Sequence, residues 1–570
     1  MGKRVMGGIL ALYRQRWQLI GRLIGLRPAE YDVGVERNIP VTMPDGVSLM
    51  TDHYYPKAAG KFPTILMRSV YGRGKEAILP VSVFMQFLCR LGAQRGYHVI
   101  CQTARGRHDS GGDFEPFVDA RRDGLATLDW IARQPWFDGS VGMVGGSYLA
   151  YVQWAVAVDA PPYLKALVPL LITSRVRETI FQDGAVSLDT ALRWVRVLEL
   201  MAMKGKIPEW KIIYQLTDTA MDADLNEAMN HLPLIEADVP AVGKPVDYYR
   251  TWLVRPDPSD PRWQEVDFSE APPQAEMPIH LMGGWYDIFL RGMLQDYEAM
   301  RAAGRQPYLT IGPWTHPNVA AYITGIRESL IWIDAHLKGD KTRLRKQPVS
   351  IYVMGANEWR DMDDWPPPSR PTRYYLHARR WLSTDAPEAE SSPDHYRYDP
   401  ANPTPSLHGP LIMNPTGPAD NRHLEVRPDV LTYSTPALEA PVEIIGPVKA
   451  ELYVRSSLMY TDFFARLCDV DPGGRSVNVC DGLFRVEPGK GEPQPDGSLR
   501  VEVDMWATAH RFKRGHRIRV LVASGAHPRW SRNLGMGESL ATGTKMACAD
   551  QMVYHDSAHP SAVVLPVVGS

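Results

Sequence analysis

A chain of 570 residues with 44% hydrophobic and 22% charged side chains is an ordinary globular composition, long enough for roughly three or four units of about 100–200 residues each. A formal net charge of −2, with no long basic run, excludes the electrostatic footprint of a nucleic-acid binder. Five cysteines, Cys89, Cys101, Cys468, Cys480 and Cys548, show no C-x-x-C and no short regular spacing, which argues against a disulfide framework or zinc knuckle and fits a reducing, cytoplasmic setting.

The first segment, residues 1–30, joins V-M-G-G-I-L-A-L-Y to Arg14, Gln15, Arg16 and Trp17, with no small-residue cleavage site. This pattern predicts an amphipathic helix rather than a signal peptide, with packing on the protein favoured over contact with a membrane surface. Residues 31–173 then alternate short, continuous apolar runs with helical periodicity. F-P-T-I-L-M-R-S-V-Y and H-V-I-C-Q-T-A read as buried parallel strands, and V-S-V-F-M-Q-F-L-C-R-L-G-A-Q-R-G-Y between them as a helix ending at Gly96. A second helix, from about Ala120 to Gln134, carries Leu125, Leu128, Trp130 and Ile131 on one face. The alternation predicts a doubly wound α/β sheet.

Residues 174–271 hold helical stretches such as L-R-W-V-R-V-L-E-L-M-A-M and few strand signals, as expected of a cap inserted into the core. The sheet pattern resumes over residues 272–345 with P-I-H-L-M-G-G-W-Y-D and Y-L-T-I-G-P-W-T-H. From 346 to 570 the texture becomes short alternating segments broken by Pro and Gly, beginning with V-S-I-Y-V-M-G, which predicts an all-β sandwich.

In an open α/β sheet, reactive groups belong where strands end and the chain turns into helices. Three such ends carry complementary chemistry: Ser147 after M-V-G-G, Asp287 after H-L-M-G-G-W-Y, and His316 after L-T-I-G-P-W-T. Ser147 alone would most simply be a helix N-cap. The conjunction changes that reading, because a hydroxyl needs an imidazole to take its proton and a buried carboxylate to orient the imidazole, and the chain order Ser, Asp, His is that of an α/β-hydrolase.

Around these positions the sequence resembles the cocaine-esterase-like (CocE/NonD) serine hydrolases, relatives of α-amino acid ester hydrolases, acylases and X-prolyl dipeptidyl peptidases. The resemblance rests on M-P-D-G-V-S-L, A-R-G-R-H-D-S-G-G-D-F, W-F-D-G-S-V-G-M-V-G-G-S-Y, G-W-Y-D, I-G-P-W-T-H and S-G-A-H-P-R-W-S-R-N, from about residue 35 to the end. It implies an α/β-hydrolase domain, a helical cap, a C-terminal jelly roll, and Ser147, Asp287 and His316 as the triad. It also implies an oxyanion hole made by the Tyr71 hydroxyl and the Tyr148 amide. Ala150 stands where the family's elbow has glycine, and Thr103 replaces its acidic residue before the T-R-G motif.

Family members that bind an α-ammonium group carry an acidic pair just after the catalytic aspartate, whereas here Ile288, Phe289 and Leu290 follow it. An apolar or aromatic acyl group is therefore expected, with Phe181, Trp194 and Phe289 as candidate pocket walls. D-V-D-P-G-G from Asp469 imitates the start of a calcium loop but has Cys480 at the twelfth position, and H-D-S-G-G-D reads as a turn, so no metal or cofactor is expected. The expected partner is a small ester or amide substrate, with homo-oligomerisation left open. An acyltransferase, an acylase or peptidase using the same triad, and a non-catalytic binding protein are the alternatives.

Overall fold

The computed structural model describes residues 21–569, so most of the amphipathic helix expected over residues 1–30 lies outside the described residues. Where the description begins, Leu26 packs into the apolar cluster on one face of the main sheet, and Arg27 pairs with Asp334 at 3.0 Å.

Ten strands form that sheet. In spatial order they are Val33–Thr42, Ser48–Pro56, His98–Thr103, Phe62–Ser69, Phe137–Gly146, Leu164–Leu170, His280–Tyr286, Tyr308–Thr315, Val349–Val353 and Glu358–Met362. The seven strands from His98–Thr103 to Val349–Val353 run parallel; Ser48–Pro56 on one side and Glu358–Met362 on the other pair antiparallel to them, and Val33–Thr42 pairs antiparallel to Ser48–Pro56. Every residue of His98–Thr103 and His280–Tyr286 is buried, because helices cover both faces. Ile65 and Met67 point into a cluster with the helices Leu79–Ala93 and Val319–Leu337. Leu66, one residue out of phase, joins Leu128 and Trp154 of the helices Ala120–Ala132 and Tyr148–Ala157 on the opposite face.

Between Leu170 and His280 the chain leaves the sheet and becomes mainly helical, the longest helices being Leu188–Met201 and Asp218–Asn230. Leu188, Leu192, Val195 and Leu198 recur at helical spacing and join the core cluster, while Asp189 and Arg193, one turn apart, pair at 2.7 Å. No helix among the described residues is long and apolar enough to cross a membrane.

The C-terminal part is all-β. One antiparallel sheet is built around Val442–Ser456 and Leu499–Phe512, and the other orders Leu431–Ser434, Arg517–Ala523, Thr461–Val470 and Ser476–Val486. Leu452 and Val503 of the first share one apolar cluster with Leu467 and Val520 of the second, so the sheets pack face to face. The D-V-D-P-G-G stretch is the turn of a hairpin, and its Asp469 is held by His510 at 2.9 Å and His516 at 2.8 Å.

One strand sits elsewhere than expected. Val349–Val353, whose V-S-I-Y-V pattern reads as the opening strand of the β-sandwich, pairs in parallel with Tyr308–Thr315 and extends the main sheet, followed by Glu358–Met362. Val349, Ile351 and Val353 are buried while Ser350 and Tyr352 are half-buried. A strand near a sheet margin is tightly covered on one face only, so it shows the same two-residue period as a sandwich strand.

Candidate active site

The strand Phe137–Gly146 ends at Ser147, and the helix Tyr148–Ala157 starts at the next residue. So abrupt a turn places Ser147 at φ 56° and ψ −126°, a backbone region that costs a non-glycine residue on the order of 1–3 kcal/mol. The surroundings hold it there: its amide donates to the Leu170 carbonyl at 2.9 Å, and its carbonyl accepts from the amides of Ala150 and Tyr151 at 2.8 and 3.0 Å. Gly145, at φ 151°, makes the turn feasible, since a Cβ at that position would lie 2.5 Å from the Cβ of Leu149. The Ser147 side chain makes no capping hydrogen bond to its helix, and its Oγ instead lies 3.1 Å from His316 Nε2.

His316 follows the strand Tyr308–Thr315, and Asp287 follows the strand His280–Tyr286, two strands adjacent in the sheet. Their ends therefore lie side by side. The imidazole Nδ1 donates to Asp287 Oδ2 at 2.7 Å, and the other carboxylate oxygen accepts from the Phe289 amide at 2.9 Å. Asp287 is fully buried and His316 nearly so. With Nδ1 carrying its proton toward the carboxylate, Nε2 is left as the acceptor facing the serine hydroxyl. The structure thus brings together the three side chains singled out in the sequence, in a continuous relay of two hydrogen bonds.

Tyr71 follows the strand Phe62–Ser69, and its hydroxyl contacts the Ser147 side chain while accepting from Trp194 Nε1 at 3.2 Å. Burial raises its pKa, outweighing the opposing hydrogen bonds with Trp194 and Ser147, so the phenol stays protonated and able to donate. The Tyr148 amide is the first of its helix, where no intrahelical acceptor exists. The Tyr148 ring takes a separate part, its hydroxyl accepting from the Phe117 amide at 3.1 Å.

Ser147 opens onto a slot of about 40 Å³ walled by Phe117, Trp194, Trp252, Ile288 and Phe289. Trp194 stacks between Phe117, at 5.2 Å, and Trp252, at 6.2 Å, while Phe289 packs on the His316 ring at 5.5 Å. Two of the three expected wall residues, Trp194 and Phe289, therefore line the slot beside the serine. Phe181 does not. It lines a different cavity with Arg177 and His527 and packs edge-on against Trp263 at 5.9 Å. The short helix Val176–Ile180 presents Val176, Thr179 and Ile180 to the slot, at one-turn spacing, and Phe181 falls just past its end on another side. Phe117 and Trp252 also line the slot, and the sequence pattern does not mark either. Phe117 sits in an irregular loop at φ 74°, where no periodic signal exists, and Trp252 is one of several aromatics on the helix Asp247–Val254. No charged side chain lines the slot among the described residues.

Comparison with known proteins agrees with this architecture. Residues 45–318 match the model of the X-Pro dipeptidyl-peptidase (S15 family), and residues 344–564 that of the X-Pro dipeptidyl-peptidase C-terminal non-catalytic domain. The chain is 34% identical over 575 residues to the cocaine esterase of Rhodococcus sp. (strain MB1 Bresler), covering 94% of this chain and 98% of that protein. It is 26% identical to a putative serine esterase of Mycobacterium bovis, covering 93% and 94% of the two chains. Among solved structures, an α-amino acid ester hydrolase superposes with a TM-score of 0.77 at 22% identity, covering 94% of this chain and 97% of that one. An aminopeptidase from a marine sediment Thaumarchaeota archaeon gives 0.80 at 23%, covering 95% and 97%. At such identities these two likenesses speak to the fold.

Proposed function

The chain belongs to the cocaine-esterase-like (CocE/NonD) family of serine hydrolases, and from that premise we propose that it cleaves carboxylic esters of small apolar acids through an acyl-enzyme on Ser147. The observation that carries this reading is the relay from Asp287 through His316 to Ser147, at 2.7 and 3.1 Å. His316 takes the hydroxyl proton as Ser147 Oγ attacks the ester carbonyl, and Asp287 stabilises the resulting imidazolium. The Tyr71 hydroxyl and the Tyr148 amide hold the negative oxygen of the tetrahedral intermediate. His316 then gives its proton to the departing alcohol, and water, deprotonated by the same imidazole, releases the acid.

The slot supports the choice of acyl group. Its volume of about 40 Å³ suits a short chain, and its walls are aromatic and aliphatic. An ammonium group there would lose its hydration without gaining a carboxylate partner. The test is a panel of p-nitrophenyl acetate, p-nitrophenyl propionate and an α-amino acid ester, run on the wild type and on Ser147→Ala. The acetate and propionate are expected to outrun the amino ester by at least tenfold, with Ser147→Ala inactive on all three. The reverse order would remove the acyl assignment, and an active Ser147→Ala would remove the nucleophile.

A further inference from the structure

Resting on the esterase reading, we propose that the alcohol half of the substrate is a long aliphatic chain, bound in a second cavity that meets the first at Ser147. This cavity, of about 680 Å³, lies between the main sheet and the helices Leu79–Ala93 and Val319–Leu337. Its walls are mostly hydrocarbon or thioether, among them Met67, Met85, Leu88, Val144, Ile326 and Leu330, with Ser329 and Tyr322 as polar side chains away from the triad. No Asp, Glu, Lys or Arg lines it among the described residues. An apolar cleft of this size that opens beside a nucleophile fits a ligand of matching hydrocarbon surface, because moving such a surface out of water is favourable.

The mouth fits the same ligand. Phe84 and Tyr322, which both line the cavity, meet edge-on at 6.2 Å and connect the two helices, and Phe84 is 38% exposed. These side chains give a hydrocarbon an apolar lip to cross. Inside, Gly146 keeps the junction clear: a Cβ there would lie 2.9 Å from the Tyr322 ring.

Position of the imidazole decides which half of the ester goes where. Ser147 and Tyr71 line both cavities, but His316 lines only the aliphatic one. As the tetrahedral intermediate collapses, the bond from carbon to the alcohol oxygen breaks, and that oxygen must take its proton from His316 Nε2. The leaving alcohol therefore lies on the imidazole's side, in the large cavity, and the acyl group stays in the aromatic slot. Water then adds to the acyl-enzyme, the Ser147–acyl bond breaks, and the serine regains its proton through His316, giving one alcohol and one acid.

Octyl acetate and ethyl octanoate separate the two halves cleanly, because they are isomers that differ only in which side of the ester carries the chain. With full-length protein in a pH-stat, kcat/KM for ethyl, butyl, hexyl and octyl acetate is expected to rise by up to roughly fourfold per added methylene until the cavity is filled. Octyl acetate should exceed ethyl octanoate by at least tenfold. Leu88→Trp, which fills the cavity away from the reacting atoms, should lower the ratio of octyl acetate to ethyl acetate kcat/KM at least tenfold. Val81→Phe on the same helix is the second filling variant should the first fold poorly. Equal or reversed rates for the isomers, or equal losses on both acetates in a folded filling variant, would overturn the proposal while leaving the esterase reading intact. A chain-length response that appears only after residues 1–20 are removed would assign the cavity to the chain's own apolar N-terminal segment, and would overturn it too. Failure to cleave any of these esters would sink the esterase reading and this one with it.

Discussion

Asp287 in the main sheet and Asp481 in the C-terminal β-sandwich are both buried carboxylates, at 0% and 2% exposure, and they are partnered in opposite ways. Asp481 accepts from Arg466 Nε at 2.9 Å and from Arg529, and Arg466 is further fixed by Asn421 at 2.7 Å and the Leu407 carbonyl at 2.9 Å. Burial alone would raise its pKa, but the guanidiniums of Arg529 and Arg466 outweigh that cost and hold it below the usual carboxylate range. Asp287 has one backbone amide and one imidazole. A guanidinium never releases its proton, so the first arrangement is static; an imidazole gains and loses one, so the second can move charge toward Ser147. On the proposed mechanism, the same kind of buried group is a fixed strut in one region and part of a proton relay in the other, the difference lying in its partner.

Removing the charge at each carboxylate sharpens the contrast. Asp287→Asn should keep the fold but present the wrong imidazole tautomer to Ser147, lowering kcat on the order of 10⁴-fold in steady-state ester hydrolysis. A loss of less than tenfold would break the distinction drawn here. Tyr71→Phe deletes one proposed oxyanion donor and leaves the relay in place, so kcat should fall about 10²- to 10³-fold with little change in KM. A change confined to KM would assign Tyr71 to substrate binding instead.

Asp481→Asn should have the smallest effect on turnover and a large one on stability. Leaving two buried guanidiniums without their carboxylate costs about 3–5 kcal/mol, read as a lower denaturant midpoint, while kcat per folded molecule stays within twofold at 25 °C. The pH dependence has a definite sign. Because the folded carboxyl is held below its unfolded value, its contribution is fully present above about pH 4 and is lost as the pH falls through and below that value. The stability gap between wild type and Asp481→Asn should therefore narrow in acid, and a gap that widened there would contradict the assignment.

The junctions at Ser147, Asp287 and His316 are legible in the sequence because each follows a continuous apolar run containing glycines, and parallel strands must deliver their carboxyl ends to one edge of the sheet. The α/β and all-β character is legible for a related reason, the change of hydrophobic period. What surrounds the serine is much less so. Phe181 misses the slot by a single residue, a shift that helical periodicity cannot resolve where a helix ends after five residues. Phe117 reaches it from a loop with no period at all. The strand Val349–Val353 carries the alternation of a sandwich strand, since one well-covered face is all that the pattern encodes. The large cavity is a property of how two helices separated by more than 200 residues lie over the sheet, and no local signal marks it.

The central claim is that Ser147 is a nucleophile activated by His316, and covalent labelling with a fluorophosphonate followed by peptide mass spectrometry tests it most directly. The account predicts one adduct, on the peptide containing Ser147, that is lost in Ser147→Ala and forms far more slowly in His316→Ala. Labelling of another residue, or of Ser147 at an undiminished rate without the imidazole, would contradict it.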